Sequence, residues 1–171
     1  MILPKPQLNK ECITCTPPEH DDRIITFSEY FKVILHPDQT SIGSVIIATR
    51  RHVGRICDFK EKELKEFGEI ISIFEPALES AFGAELINIY YQRNWAYRTN
   101  NPDPPFKEGK PNPHVHMHVI PRYSGKISFE EEEWIDPEFG EPFIYRNRKV
   151  NEDLKERIIS KIQTQLTLKY K

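Results

Sequence analysis

The sequence predicts an α+β domain, an antiparallel sheet with helices packed on one side. Short β-branched runs stand side by side with only turn residues between them. Helical patterns are few and do not alternate regularly with the strands. The 171 residues are the length of one domain, which can bury roughly 70% of the surface its unfolded chain exposes.

Phe31 to Leu35 and Ser44 to Thr49 are apolar, β-branched runs. Between them Pro37, Asp38 and Gly43 mark a turn, so the pair reads as strand–turn–strand. The strongest helical pattern follows. Asp58 is placed to cap it, with Glu61 three residues on as the partner of a capping box. Leu64, Phe67, Ile71, Phe74 and Leu78 recur at spacings of three and four, an apolar stripe backed by Lys and Glu. Pro76 is expected to kink or shorten the end of this helix, and Gly83 lies just past it.

Leu86 to Gln92 and His114 to Ile120 read as two more strands. Between them, residues 100–113 carry Pro102, Pro104, Pro105, Pro111 and Pro113. Proline fixes φ and removes a donor, so this stretch is neither an inner strand nor a helix. Loops of that length in a compact domain are more often functional than idle. A closing amphipathic helix runs from about Glu152 to Leu166, with Leu154, Ile158, Ile159, Ile162 and Leu166 on its apolar face. The expected organisation is an N-terminal flexible segment (1–11), a core domain (12–123) and an extension packed on it (124–171).

Charge and composition exclude several function classes. The 24 basic and 26 acidic residues balance to a net charge of −2, against the basic excess of a protein that grips a nucleic-acid backbone. No apolar run approaches the ~20 residues of a membrane helix. Met1 to Lys10 lacks the basic segment and apolar core of a secretory signal. Three cysteines, an odd and low count, suit a reducing compartment, so the expected location is cytoplasmic.

The densest chemistry lies at His114, His116 and His118. On a strand, alternate side chains share a face, so the three imidazoles stand on one side and Val115, Met117 and Val119 on the other. The apolar set is free to pack on the helix. Three readings of the polar set remain open at this level: incidental polar residues on a half-exposed strand, three ligands of a catalytic zinc, or a nucleophilic site. In the last, a neutral imidazole attacks phosphorus and splits one displacement into two through a phosphoramidate. Its neighbours donate hydrogen bonds to phosphate oxygens.

The run His114-Val-His116-Met-His118-Val-Ile has the form His-φ-His-φ-His-φ-φ and resembles the histidine-triad (HIT) family. The continuation Pro121-Arg122-Tyr123, Gly43 ahead of the second strand, and Arg51-His52-Val53 before the helix extend the similarity over roughly Cys12 to Tyr123. The resemblance implies an antiparallel α+β fold, a homodimer, and hydrolysis or transfer at the α-phosphate of a nucleotide conjugate or dinucleoside polyphosphate. It implies His116 as the nucleophile, with His114 and His118 orienting it and contacting phosphate. No membrane or nucleic-acid partner is expected.

The sequence also departs from the family pattern. Where many members have Gly-Gln-Ser/Thr-Val, this chain has Gly109-Lys110-Pro111-Asn112-Pro113. Pro111 removes a hydroxyl that serves the leaving group, and Lys110 offers a point charge in place of an amide. Ser44 stands where many relatives have a histidine. Asp38, Ser44, Asn94 and Lys110 are the expected substrate contacts, and Trp95 and Tyr97 either line a base pocket or simply pack.

Cys12-Ile-Thr-Cys15 reads alone as a redox pair, half a zinc site or chance. Some HIT relatives resemble an arrangement in which two N-terminal cysteines, the His of an Arg-His motif and the first triad histidine hold a structural zinc. Here those positions are Cys12, Cys15, His52 and His114, with His20 as a rival ligand. Cys57 is expected to be a small buried apolar residue. Arg50, Arg51 and Arg55 are expected on a solvated rim, and the acidic run Glu130 to Glu133 is expected to be exposed.

Overall fold

The computed structural model describes residues 12–168, so the expected flexible segment 1–11 lies outside the described residues. Five strands form one sheet: β1 (Ile24–Phe27), β2 (Phe31–Leu35), β3 (Val45–Thr49), β4 (Leu86–Tyr91) and β5 (His116–Arg122). Their spatial order is β1-β2-β3-β5-β4, and all four pairings are antiparallel. A small hairpin, β6 (Ile127–Phe129) with β7 (Glu132–Trp134), follows. Helix α1 (Glu61–Phe82) joins β3 to β4, and α2 (Glu152–Leu168) ends the described chain. No helix among the described residues is long and apolar enough to cross a membrane.

One face of the sheet carries the core. Val33, Leu35, Val45, Ile47, Val115, Met117 and Val119 cluster with Ile70, Phe74 and Leu78 of α1 and with Ile158 and Ile162 of α2. Helix α2 packs against α1 and β1. Apart from Ile70, these belong to the apolar sets read from the sequence.

The start of α1 differs from the reading. Asp58 ends a short 3-10 turn, Ile56–Asp58, and the helix begins three residues later at Glu61. Glu63, not Glu61, supplies the box: its carboxylate accepts the Lys60 amide at 2.7 Å and is paired with Arg51. A buried carboxylate needs partners, and here the helix end and an arginine provide them. Leu64 is 50% exposed, so the buried stripe runs through Ile70, Phe74, Ala77, Leu78 and Ala81. The helix continues through Pro76 and is not shortened by it, ending at Phe82 with Gly83 in the left-handed conformation at φ +75°. Cys57 is exposed, against the expectation of burial; it sits in the 3-10 turn, where its side chain faces out beside Asp58.

The opposite face of the sheet is covered by segments with little regular structure. From the N-terminal side, residues 12–22 lie over β2. Buried Lys32 donates to Asp21 at 3.0 Å and to the Thr16 carbonyl at 2.8 Å. From the C-terminal side, residues 135–150 form a strap across β5 and the β2–β3 turn. The guanidinium of Arg122, fully buried, holds the Asp136 carboxylate and the carbonyls of Glu138 and Glu141. Asp38 receives the amides of Asn147 and Arg148 at 2.8 and 3.0 Å. Residues 135–150 are thus tied to β5 and the β2–β3 turn, and α2 packs against α1 and β1. The acidic run is on β7 and its turn, with Glu130, Glu131 and Glu133 exposed.

Gly43 is required where the β2–β3 turn meets the end of α1. Its φ is +80°, and a Cβ there would stand 2.7 Å from the Phe82 ring. Both the backbone conformation and the contact exclude a side chain. Gly43→Ala is therefore expected to destabilise the fold by roughly 2 kcal/mol, read as a lowered urea midpoint with an unchanged slope.

Candidate active site

Strand β5 begins at His116, two residues later than read, so His114 precedes the strand. Alternation nonetheless places His116 and His118 on the sheet face away from the helices, while Val115, Met117 and Val119 are buried in the core. In register, Ala48 of β3 faces His116, and Ile46 of β3 and Tyr90 of β4 flank His118. The His116 and His118 ring centroids are 5.0 Å apart, and both side chains are half-buried. They occupy the part of this face left between the N-terminal segment and the C-terminal strap.

The three histidines do not converge on one point. His114 is buried, and its Nδ1 lies 3.3 Å from the Sγ of both Cys12 and Cys15. Its Nε2 lies 2.8 Å from the Thr49 carbonyl and 2.9 Å from the Thr49 hydroxyl. His52 completes the group, with Nδ1 3.4 Å from Cys15 Sγ and Nε2 2.9 Å from Asn112 Oδ1. The ligand atoms of Cys12, Cys15, His52 and His114 lie within 4.8 Å of one another. A tetrahedral zinc with Zn–S near 2.3 Å and Zn–N near 2.0 Å sets ligand atoms roughly 3.5 Å apart, so the donor set fits. Each outer ring nitrogen meets an oxygen acceptor, which places its proton there and turns the lone pair of Nδ1 inward. Among the described residues this is the group that can hold a metal; three-histidine ligation by His114, His116 and His118 has no counterpart. His20 is exposed and outside the group.

His116 makes a different commitment. Its Nδ1 lies 2.9 Å from the carbonyl oxygen of His114. A carbonyl only accepts, so Nδ1 carries the proton and Nε2 the lone pair. Burial lowers the pKa of this ring, opposed by that hydrogen bond, and the neutral form is favoured. His118 contacts two residues that sequence reasoning missed. Its Nδ1 lies 3.0 Å from Nε2 of His36 and 3.1 Å from the Tyr145 hydroxyl. His36 follows β2 and stacks on Tyr145 with centroids 5.2 Å apart. Burial brings His36 down to about 4 and His118 to about 3. His36 stands two residues before Asp38, on the alternation that gives Lys32 and Ile34 to the same face, and that periodicity was the signal available for it. Tyr145 lies in a segment without periodicity, and nothing local marks it.

The expected substrate contacts are not brought together. Asp38 is buried, and its carboxylate is taken up by Thr40, Asn147 and Arg148. Ser44 is fully buried and donates to the Ser41 carbonyl at 2.7 Å. Both act within the turn that anchors the strap. Lys110 is exposed on a tight turn closed by its pairing with Lys107, and Asn94 is exposed on a 3-10 turn, Asn94–Tyr97. Trp95 and Tyr97, on that turn, are exposed rather than packed, each beneath an arginine: Arg98 over Trp95 at 4.3 Å and Arg93 over Tyr97 at 6.0 Å. Arg51 is not on a solvated rim, since it pairs with buried Glu63, and Arg50 donates to the carbonyls of Ser28 and Glu29; Arg55 is exposed beside Asp58.

Among solved structures, the fold is similar to a hypothetical histidine triad nucleotide-binding protein from Sulfolobus tokodaii, at 17% identity and TM-score 0.66, covering 92% of this chain and 93% of that one. A Zn-bound histidine triad family protein from Mycobacterium smegmatis matches at 20% identity and TM-score 0.57, covering 92% and 96%. The diadenosine triphosphate hydrolase of Plasmodium falciparum matches at 13% identity and TM-score 0.59, covering 88% and 80%. At such identities these likenesses show the fold. No curated protein matches the sequence. The family model described as the HIT domain matches residues 17–125, well over half of the chain, and the chain therefore belongs to the HIT domain family.

Proposed function

We propose that this protein is a nucleotide hydrolase or nucleotidyl transferase that works through a covalent nucleotidyl-histidine on His116. The observation that carries the reading is the His114 carbonyl on His116 Nδ1, which leaves Nε2 unprotonated beside the half-buried His118. In the first step Nε2 attacks the α-phosphorus of a nucleoside polyphosphate or nucleotide conjugate. The N–P bond forms and the bond from phosphorus to the leaving oxygen breaks. In the second, water (for transfer, another acceptor) attacks the phosphoramidate and returns the electron pair to Nε2. His118 donates to a phosphate oxygen, stabilising charge as it builds. His114 contributes through its backbone, since both its ring nitrogens are engaged elsewhere. The diadenosine triphosphate hydrolase among the structural relatives makes a dinucleoside polyphosphate the first substrate to try.

Cys12, Cys15, His52 and His114 would hold a structural zinc, as the donor set fits and one structural relative is Zn-bound. Bound there, the metal supplies rigidity, tying the N-terminal segment to the residue whose carbonyl orients His116. Thiolate ligands suit a reducing compartment, and we place the protein in the cytoplasm. We further propose a homodimer: β4 is an edge strand on which Leu86, Ile89 and Tyr91 are exposed, a surface that a second copy would cover.

His116→Ala is expected to abolish turnover of diadenosine triphosphate while leaving the fold intact. Intact-protein mass spectrometry of acid-free quenched reactions should show a gain of one AMP on the wild type and none on the variant; equal turnover by the variant would falsify the mechanism. Cys12→Ser should release zinc, measured by metal analysis, and lower the thermal midpoint, whereas His116→Ala should retain the metal. The pH dependence has a definite sign. His36 has a folded pKa near 4 against an ordinary 6.5, so the unfolded chain binds the extra proton and stability falls as pH drops from about 6.5 toward 4. For this ring the loss is on the order of 3 kcal/mol. Urea titrations at pH 7 and pH 5 should therefore differ more in the wild type than in His36→Phe.

A further inference from the structure

We propose that His36 and Tyr145 are positioning residues that hold His118 in one tautomer, with Nδ1 as acceptor and Nε2–H as a donor toward the substrate. The proposal rests on the hydrolase reading for its catalytic consequence, but its geometry stands apart from it.

The tautomer follows from the Asp38 backbone. The Asp38 amide donates to His36 Nδ1 at 3.0 Å. The Asp38 carbonyl is also 2.9 Å from that nitrogen. One ring nitrogen cannot both accept from the amide and donate to the carbonyl. A hydrogen on Nδ1 would be driven against the fixed amide hydrogen, whereas the carbonyl only forgoes one partner when the ring does not donate to it; we therefore assign Nδ1 as the acceptor. His36 Nδ1 is then the acceptor and its Nε2 carries the hydrogen. That hydrogen points at His118 Nδ1, 3.0 Å away, and makes it an acceptor too. The Tyr145 hydroxyl, 3.1 Å from the same nitrogen, is a second donor. Burial raises the Tyr145 phenol well above its ordinary value, so it keeps its proton. With Nδ1 taken, a neutral His118 carries its hydrogen on Nε2.

The arrangement is rigid because both ends of the strap are pinned. Before Tyr145, Phe143 lies over the buried Arg122 guanidinium at 5.2 Å, and Arg122 holds Asp136. After it, the Arg146 amide donates to the Thr40 hydroxyl at 2.8 Å, and the Asn147 and Arg148 amides donate to Asp38. Asp38 therefore anchors both donors: its amide orients His36, and its carboxylate anchors the residues beside Tyr145.

The test uses the full chain labelled with ¹⁵N-histidine, with His118 assigned by the signals lost in His118→Gln. Long-range ¹H–¹⁵N spectra at pH 7, recorded without substrate, should show the wild-type ring as the Nε2–H tautomer. Tyr145→Phe and the double variant with His36→Phe should move it progressively toward a mixture. In parallel, Tyr145→Phe should lower kcat for diadenosine triphosphate by about tenfold with KM changed by less than about threefold, the split expected of an orienting group. A wild-type His118 protonated on Nδ1, or a tautomer unmoved in both variants, overturns the proposal. So does an unchanged kcat in Tyr145→Phe. If the wild type leaves the dinucleotide untouched, the hydrolase reading fails, and the spectra still decide the positioning.

Discussion

Everything at this site depends on the pleat of one strand. Strand β5 sends Met117 and Val119 into a core shared with both helices, and it sends His116 and His118 to the opposite face. A slip of one residue would exchange the two sets, burying imidazoles among aliphatic side chains and exposing the core. The register is therefore defended by the whole hydrophobic cluster, with β3 on one side and β4 on the other. The placement of the chemistry is a by-product of the forces that place the core. The histidines need no stabilising role of their own.

What closes the second face is different in kind. The helices lie on the first face through apolar burial, whereas the N-terminal segment and the strap are held largely by buried polar groups. Lys32 with Asp21, Arg122 with Asp136 and Asp38 with two backbone amides each satisfy charges that β2, the β2–β3 turn and β5 bring into the interior. A buried ion pair adds little net stability over an apolar contact of similar size, and removing one partner strands the other at a large cost. Such contacts therefore specify where irregular chain must lie more than they stabilise it. With the face covered by such irregular segments, His116 and His118 remain only half-buried.

This difference explains what could be read from the sequence. Strands β2 to β5, both helices and the alternation from Val115 to Val119 follow from periodicity, and the grouping of Cys12, Cys15, His52 and His114 is what the family resemblance implies; all are present in the structure, whereas β1, β6 and β7 carry no comparable pattern. The start of α1 was misread because Asp58 satisfies local capping statistics, while the carboxylate that caps the helix, Glu63, also has a tertiary partner in Arg51. Asp38, in a turn, and Ser44, where many relatives have a histidine, are expected as substrate contacts. Their actual partners lie over a hundred residues away for Asp38 and three residues away for Ser44. His36 and Tyr145 meet only because the strap crosses the sheet, and no local pattern encodes a contact across 109 residues.

The word triad then covers three environments. His114 has both ring nitrogens engaged, one toward two sulfurs and one toward Thr49. His116 has one nitrogen held by a carbonyl and one free of any hydrogen bond within the described residues. His118 has one nitrogen within hydrogen-bonding distance of both His36 and Tyr145. Three identical side chains at equal spacing are differentiated entirely by what each finds within hydrogen-bonding distance, and those partners come from five separate parts of the chain: the Cys12–Cys15 segment, His36, Thr49, the His114 carbonyl and Tyr145. A ring with both nitrogens engaged is suited to holding structure, one with a free lone pair to attack, and one with a free N–H to donating. On this geometry the central ring alone keeps an unprotonated nitrogen with no hydrogen-bond partner among the described residues, which is the property the proposed nucleophile needs. A substituent that gave His116 Nε2 a permanent donor would be expected to silence the site while leaving every other contact in place.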